Sequence, residues 1–360
     1  MENWRQYVSP RQRDDFYYEL LAGGTKIKLF ESFVDHGLAS MLANGPMSAG
    51  ALAQKLALHP LRTYKWLHLL SLVGLLKQIE NIGAVGGSDT TYSLTPLAQA
   101  LFGDDGTLGS FFKDSLFYFK ACEDTDLNAV LEGLPLPYAV RWPPQTIEAA
   151  AHLEWWMSIS SRGTIHAIEK AVDLNKISRL LDVAGGDSTT ACEIVRNHPR
   201  LNVTIFDLPH SASLAKARIE HGGLADRISV VEGDILALDG LPEGFDLVLW
   251  SRVFSSWPIE TVCTLIVKSY AALLPSGIIV ICEPMLDYNL PLALSAEFRY
   301  LFYDDFGAGV YKAESQYEAL LTQAGFNITC KQSPDEESFY SVIIATKPCC
   351  LVTFRDYCYL

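Results

Sequence analysis

The sequence contains no run of about 18 apolar residues, so no membrane span is expected. The opening stretch MENWRQYVSPRQRDDFYYEL has no apolar core behind a basic segment, which argues against a secretory leader. Cys122, Cys192, Cys263, Cys282, Cys330, Cys349, Cys350 and Cys358 form no Cys-x-x-Cys pair and accompany no histidine cluster. That scatter argues against a metal or disulfide framework and predicts reduced thiols. Positive charge is scarce, with 28 Lys and Arg against 42 Asp and Glu and a formal net charge of −14. Such a surface repels phosphate backbones, so no nucleic-acid partner is expected. These absences predict a cytoplasmic protein with neither a membrane nor a nucleic-acid partner.

What is present is ordinary globular composition, 49% apolar and 19% charged over 360 residues, enough for two domains. From about Phe16 to Phe102 the periodicity is helical, with a break at "LHP" and a stop near Gly74. "LLKQIE" and "TTYSLTP" then alternate as a two-stranded ribbon around the Gly-rich "NIGAVGGSD". This is a winged-helix pattern. Its candidate recognition helix offers only Arg62 and Lys65 on an otherwise apolar surface, which suits an oligomer interface better than DNA.

The expected organisation is a helical winged-helix dimerisation domain over 1–105, a catalytic domain over 106–348 with a helical pocket segment at 106–173, and a tail at 349–360 that matches no element. After Leu174, strands alternate with helices, which predicts an α/β fold with a mostly parallel sheet. "FNITCKQSPDEESFYSVIIATKP" adds two strands, one of them antiparallel.

In "LLDVAGGDST" a buried strand ends at Asp182 and turns through Gly185 and Gly186 into a helix, a turn small enough for a ligand to approach the backbone. The next strand ends at Asp207, where a carboxylate can accept both hydroxyls of a ribose. The third ends in "EGDIL", which places Asp234 to meet an adenine amino group. Taken singly, each aspartate also suits a helix cap or a turn. Taken together, they line successive strand ends. The turn lacks the Gly-x-Gly-x-x-Gly of a dinucleotide site, and Asp187 at the helix start would repel a pyrophosphate. S-adenosylmethionine, which has no phosphate, fits better.

"LLDVAGGDST", "VTIFDLP", "ISVVEGDIL", "WSRVFSSWP", "CEPML" and "YKAESQYEALLTQAGF", following a winged helix, resemble the small-molecule O-methyltransferases of the caffeate and hydroxyindole type. The resemblance covers nearly the whole chain apart from the tail. It implies a Rossmann-like class I methyltransferase fold, a homodimer joined through the N-terminal domain, and S-adenosylmethionine as cofactor. By motif match, Leu208, Ile235 and Ser251 line that cofactor with the aspartates and glycines, while Met157 and Ser161 lie near its methionine end. The glycines usual at positions 184 and 188 are Ala and Ser here.

The family pattern at the active-site turn is usually His-Asp-Trp, with the histidine as general base. The matching residues are Ser255, Ser256 and Trp257. A second polar partner, usually glutamate, matches Tyr311. Glu283 remains of the usual trio, with no histidine to orient. A lone serine cannot take a proton at neutral pH. The expected acceptor is therefore already nucleophilic: a thioether or thiol carrying a carboxylate, an acidic phenol, or an electron-rich carbon. A non-methylating relative that uses bound S-adenosylmethionine for hydroxylation, decarboxylation or pericyclic chemistry is the alternative.

In "SAEFRYLFYDDFGAGVY", Phe298, Phe302 and Phe306 recur at helical spacing, as acceptor wall or as core packing. Arg299 and Tyr303 share the adjoining face. Arg299 suits a bidentate pair with an acceptor carboxylate, or with Asp304 or Asp305. Trp155 and Trp156 can face a sulfonium by cation–π attraction. Arg162 is a further anion-binding candidate. Trp155, Trp156 and Met157 are consecutive, so one must point away from the local core.

Overall fold

In a computed structural model, continuous apolar runs become strands covered on both faces, as parallel sheets require. The description covers residues 9–79, 89–102, 115–116, 124–133, 143–159, 161–237, 240–301 and 309–349. The chain divides into two compact units, Met1–Ala121 and Cys122–Leu360.

The first unit contains α1 (Pro10–Asp35), α2 (Leu38–Leu42), β1 (Met47–Ser48), α3 (Ala49–Lys55), α4 (Pro60–Leu72), β2 (Leu76–Ile79), β3 (Thr91–Leu94) and α5 (Pro96–Phe102). Ser9 and Gln12 form a reciprocal cap on α1, and Pro10 takes the first helical position, where no N–H is needed. α4 stops before Gly74, whose φ of 83° suits glycine. A small sheet of order β1-β3-β2 closes over the core. Phe33, Leu38, Leu52, Leu67, Leu70 and Tyr92 are fully buried there. The Trp66 indole donates to Ser32 Oγ at 2.8 Å and ties α4 to α1.

The second unit continues with α6 (Leu127–Leu131), α7 (Ile147–Ile159), α8 (Ser161–Ala171), β4 (Arg179–Val183), α9 (Thr189–Asn197), β5 (Asn202–Asp207), α10 (Pro209–His221), β6 (Ile228–Glu232) and β7 (Phe245–Ser251). It closes with α11 (Ile259–Ala272), β8 (Leu273–Glu283), α12 (Leu290–Tyr300), α13 (Glu314–Gln323), β9 (Asn327–Gln332) and β10 (Ser341–Thr346). Within the stretch from Ala149 to Val172, α7 is described as far as Ile159 and α8 from Ser161.

The seven strands lie in the order β6-β5-β4-β7-β8-β10-β9. β4 through β8 pair in parallel, and β10 is antiparallel to both β8 and β9. Chain order reverses between β4 and β7, and such a switch point opens a ligand crevice at the strands' carboxyl ends. Register aligns Ser251 with Cys282 and Glu283 with Ser341, so β7, β8 and the start of β10 share that edge. One core layer packs around Trp250, Phe254, Ile281 and Tyr317, and the other around Ile168, Leu180, Ile205 and Val342.

Candidate active site

The turn after β4 is shaped by what cannot fit beside it. A Cβ on Gly185 would stand 2.7 Å from Asp182 Oδ2, and one on Gly186 (φ 61°) would run into the Glu154 carboxylate. Ala184 and Ser188, at φ 55° and 69°, hold left-handed backbone that glycine adopts more easily. Ala184→Gly is therefore expected to raise stability by about 0.5–1 kcal/mol, because relief of the left-handed strain outweighs the freer unfolded chain. A thermal melt with a lowered midpoint would contradict this.

Asp207 draws the turn inward. Its Oδ2 accepts the Gly186 N–H at 2.8 Å and its Oδ1 the Leu208 N–H at 2.7 Å. Each oxygen keeps a lone pair for a ligand hydroxyl. Burial raises the Asp207 carboxyl, opposed by those two amides. Asp182 is buried, and desolvation, reinforced by Asp207 and opposed by Arg252, pushes it up to about 7. The crevice thus presents carboxylates that gain from a cationic ligand. Beyond β6, Asp234 is exposed, and its Oδ1 accepts the Leu236 N–H at 2.8 Å. Leu208 and Ile235 are half-buried, Ile235 against the core. Ser251 ends β7, and its Oγ is buried with no hydrogen-bond partner among the described residues. An orphaned hydroxyl, a side-chain-free turn and a row of carboxylates at one sheet edge fit a ribose-bearing cation such as S-adenosylmethionine.

Two charged residues at this crevice, Glu154 and Arg252, were not singled out from the sequence. Glu154, on α7, accepts from Ser211 Oγ at 2.6 Å and from the Asp187 N–H at 3.3 Å. Burial first, then the charges of Asp207 and Asp187, push its carboxyl up to about 7. The sequence signal was a carboxylate inside the apolar run "LEWWM". Arg252, at φ 61°, donates from Nη1 to the Met157 carbonyl at 2.7 Å. Asp187 forms an ion pair with Arg218 and accepts the Thr189 N–H at 3.0 Å. The expected repulsion of phosphate by Asp187 is thereby reduced, since its charge is shared with an arginine.

The turn after β7 is a single 3-10 turn, Phe254–Ser256, with Ser255 buried. Glu283, at the end of β8, is fully buried beneath it. Its Oε1 accepts the Val253 N–H at 2.6 Å and the Phe254 N–H at 2.7 Å. Its Oε2 is buried and has no hydrogen-bond donor among the described residues. Desolvation outweighs these bonds and pushes the Glu283 carboxyl up to about 7. Glu283 thus lies under the turn that carries Ser255, held by the amides of Val253 and Phe254.

Lys312 completes the turn. It is fully buried, and its ammonium donates to the carbonyls of Phe254 (2.8 Å), Trp257 and Val310. Burial lowers its pKa to about 8, with Glu283 opposing. All three N–H donors are spent on carbonyls, so this lysine holds the turn and is no base. Trp250 stacks on Phe254 with centroids 4.6 Å apart, and Phe254 on Tyr317 at 6.2 Å, forming an apolar floor.

The remaining candidates distribute unevenly. Tyr311 is half-buried, and its N–H donates to Glu297 Oε1 at 2.8 Å. Trp155, Trp156 and Met157 are all half-buried on α7, and Trp155 stacks on His152 at 5.8 Å. Ser161 is buried at the start of α8, donating to the Ser158 carbonyl at 2.7 Å, whereas Arg162 is exposed. Phe298 is half-buried on α12. The backbone of Arg299 belongs to that helix, but its side chain lies outside the described residues, as do Phe302, Tyr303 and Phe306.

Comparison with known proteins follows from this geometry. The model of the O-methyltransferase domain family matches residues 148–327, half of the chain. An L-tyrosine C(3)-methyltransferase of Streptomyces lavendulae is 31% identical over 220 residues, spanning 60% of this chain and 59% of that relative. An O-methyltransferase of the same organism is 28% identical over 81% of this chain and 89% of its own length. Among solved structures, an S-adenosylmethionine-dependent methyltransferase in its apo form superposes with a TM-score of 0.72 at 24% identity, covering 91% of this chain and 98% of that one. The crevice at the switch point, the carboxylates along it and the match over half the sequence lead to one conclusion: this chain belongs to the O-methyltransferase family and is an S-adenosylmethionine-dependent methyltransferase of small molecules.

Proposed function

We infer that the protein methylates a small acceptor without a histidine base. The observation that carries this reading is the buried Ser255 on the turn after β7, where the family places its histidine. In this reading Asp207 holds the ribose hydroxyls and Asp234 the adenine, with Leu208 and Ile235 beside the base. Asp182, Gly185, Gly186, Ser251, Met157 and Ser161 surround the methionine portion. The bound cofactor supplies an activated methyl group. The chain supplies alignment, which carries much of the acceleration of an in-line displacement.

The acceptor classes that suit this site are a thiol or thioether bearing a carboxylate, an acidic phenol and an electron-rich ring carbon. The tyrosine C(3)-methyltransferase relative supports the ring carbon, since its name places methylation beside a phenol on an amino acid. Arg299 would pair with the acceptor carboxylate, with Arg162 as a second anion contact. Trp155, Trp156, Phe298, Phe302, Tyr303 and Phe306 would form the aromatic wall, and Tyr311 would border it. Transfer of label from methyl-labelled S-adenosylmethionine to an acceptor panel tests the reading, and failure of every acceptor while the donor binds would refute it.

We also propose that the first unit, read as a winged helix, joins two copies. Its α1 exposes Phe16, Tyr17, Tyr18, Leu20 and Leu21 at 52–66%, and Leu72 of α4 is 70% exposed. Several large exposed apolar side chains suit an interface. Light scattering should return twice the chain mass, and a monomer at micromolar concentration would refute the dimer.

A further inference from the structure

We propose that Glu154 couples the donor site to the acceptor wall: through its carboxylate, a donor held at the turn after β4 fixes the part of α7 that carries Trp155, Trp156 and Met157. Glu154 is in this role a positioning residue that acts through the turn. The proposal rests on the reading of Asp207 as the holder of the donor ribose and of α7 as a wall of the acceptor pocket.

Glu154 and Asp207 grip the same two segments. Asp207 Oδ2 accepts the Gly186 N–H at 2.8 Å, and the next amide, that of Asp187, donates to Glu154 Oε2 at 3.3 Å. Asp207 Oδ1 accepts the Leu208 N–H at 2.7 Å, and Ser211, in the first turn of α10, donates from Oγ to Glu154 Oε1 at 2.6 Å. A ligand that orders Asp207 therefore orders both partners of Glu154. No side chain intervenes, because a Cβ on Gly186 would collide with Glu154 Oε2. Glu154 is only 8% exposed, so water competes poorly for these bonds.

The other tie of this segment lies away from the turn. The Met157 carbonyl accepts from Arg252 Nη1 at 2.7 Å, which holds α7 to the residue after β7. Trp155 and Trp156, both half-buried, lie between the two ties. With one anchor on the donor turn, the placement of this aromatic pair follows the order of that turn. The donor should then bind first and prepare the acceptor wall, and a bound acceptor should tighten the donor by the same factor.

The test needs no acceptor. Hydrogen–deuterium exchange of the α7 amides is followed in the full chain with and without saturating S-adenosylhomocysteine, whose binding is measured by calorimetry. In the native protein the ligand should slow α7 exchange about 5–150-fold, the usual range of a coupling between sites. Glu154→Ala should bind the ligand and lose this slowing. Glu154→Gln should restore it, because its amide oxygen can accept from Asp187 while its NH₂ donates to Ser211 Oγ. Ser211→Ala removes one of the two bonds and should give an intermediate slowing, which keeps the test decisive if Glu154→Ala does not fold.

The coupling is overturned if Glu154→Ala, or Ser211→Ala in its place, keeps the native ratio of bound to free exchange rates, even where both rates rise. That result would show that Glu154 merely packs α7, or that the ligand holds the helix directly. It is also overturned if Glu154→Gln fails as completely as Glu154→Ala, since charge rather than bonding would then be at work. Ligand binding to the native protein with no response in α7 would overturn the coupling and leave the donor site standing. Absence of any binding would remove both.

Discussion

Lys312→Met is expected to lower the unfolding free energy by about 3–5 kcal/mol at pH 8, the cost of leaving a buried charge without its partner. The residue is fully buried, and its ammonium is the hub for three carbonyls, of Phe254, Trp257 and Val310. Methionine fills much of the same volume but leaves those carbonyls without a donor, a penalty independent of pH. The second part of the cost does depend on pH. With the ammonium gone, the Glu283 carboxyl rises further above the value of about 7 set by burial. Below that value it is neutral in the variant and costs little. Above it, the chain must bury an uncompensated anion or keep a proton that solvent would take. The loss should therefore be smaller at pH 6 than at pH 8, as read from denaturant midpoints at the two pH values. Equal losses would show that the lysine serves only the carbonyls. A loss below about 1 kcal/mol would show that the turn is held by its apolar floor instead.

Asp207→Ala is expected to weaken S-adenosylmethionine binding about 10²-fold or more. Hydrogen bonds to a charged group contribute roughly 1.5–3 kcal/mol each, and every 1.4 kcal/mol is tenfold in affinity. Asp207 also fixes Gly186 and Leu208 through their amides, so alanine loosens the turn as well as removing the ribose contact. Asp207→Asn keeps an acceptor oxygen and should fall between alanine and native. Calorimetry with S-adenosylmethionine and S-adenosylhomocysteine separates the two contributions. Both ligands carry the ribose, so both should weaken together. If only the sulfonium form weakens, Asp207 acts through charge and the ribose assignment is wrong.

Much of this architecture was legible because it is local. The alternation after Leu174 and the acidic residues at successive strand ends are patterns of near neighbours, and they led to the sheet and to the edge where the crevice opens. The missing histidine was legible for the same reason. Less visible were contacts joining distant segments. Glu154 reaches Ser211, 57 positions on, and Lys312 reaches Phe254, 58 positions back. Neither charge was singled out from the sequence, because nothing near it in the chain names its partner. Glu283 shows the limit most clearly. Its sequence position indicated kinship with the family's trio, but only the packing of β8 under the turn brings its carboxylate to the Val253 and Phe254 amides.

The most direct test of a histidine-free methyltransferase is product analysis after incubating the protein with methyl-labelled S-adenosylmethionine and a panel of phenols, thiols and thioethers. Label should appear on an acceptor with one S-adenosylhomocysteine formed per methyl transferred. Consumption of an acceptor with no S-adenosylhomocysteine would instead identify chemistry that uses the bound sulfonium without spending its methyl group, and would contradict the proposed reaction.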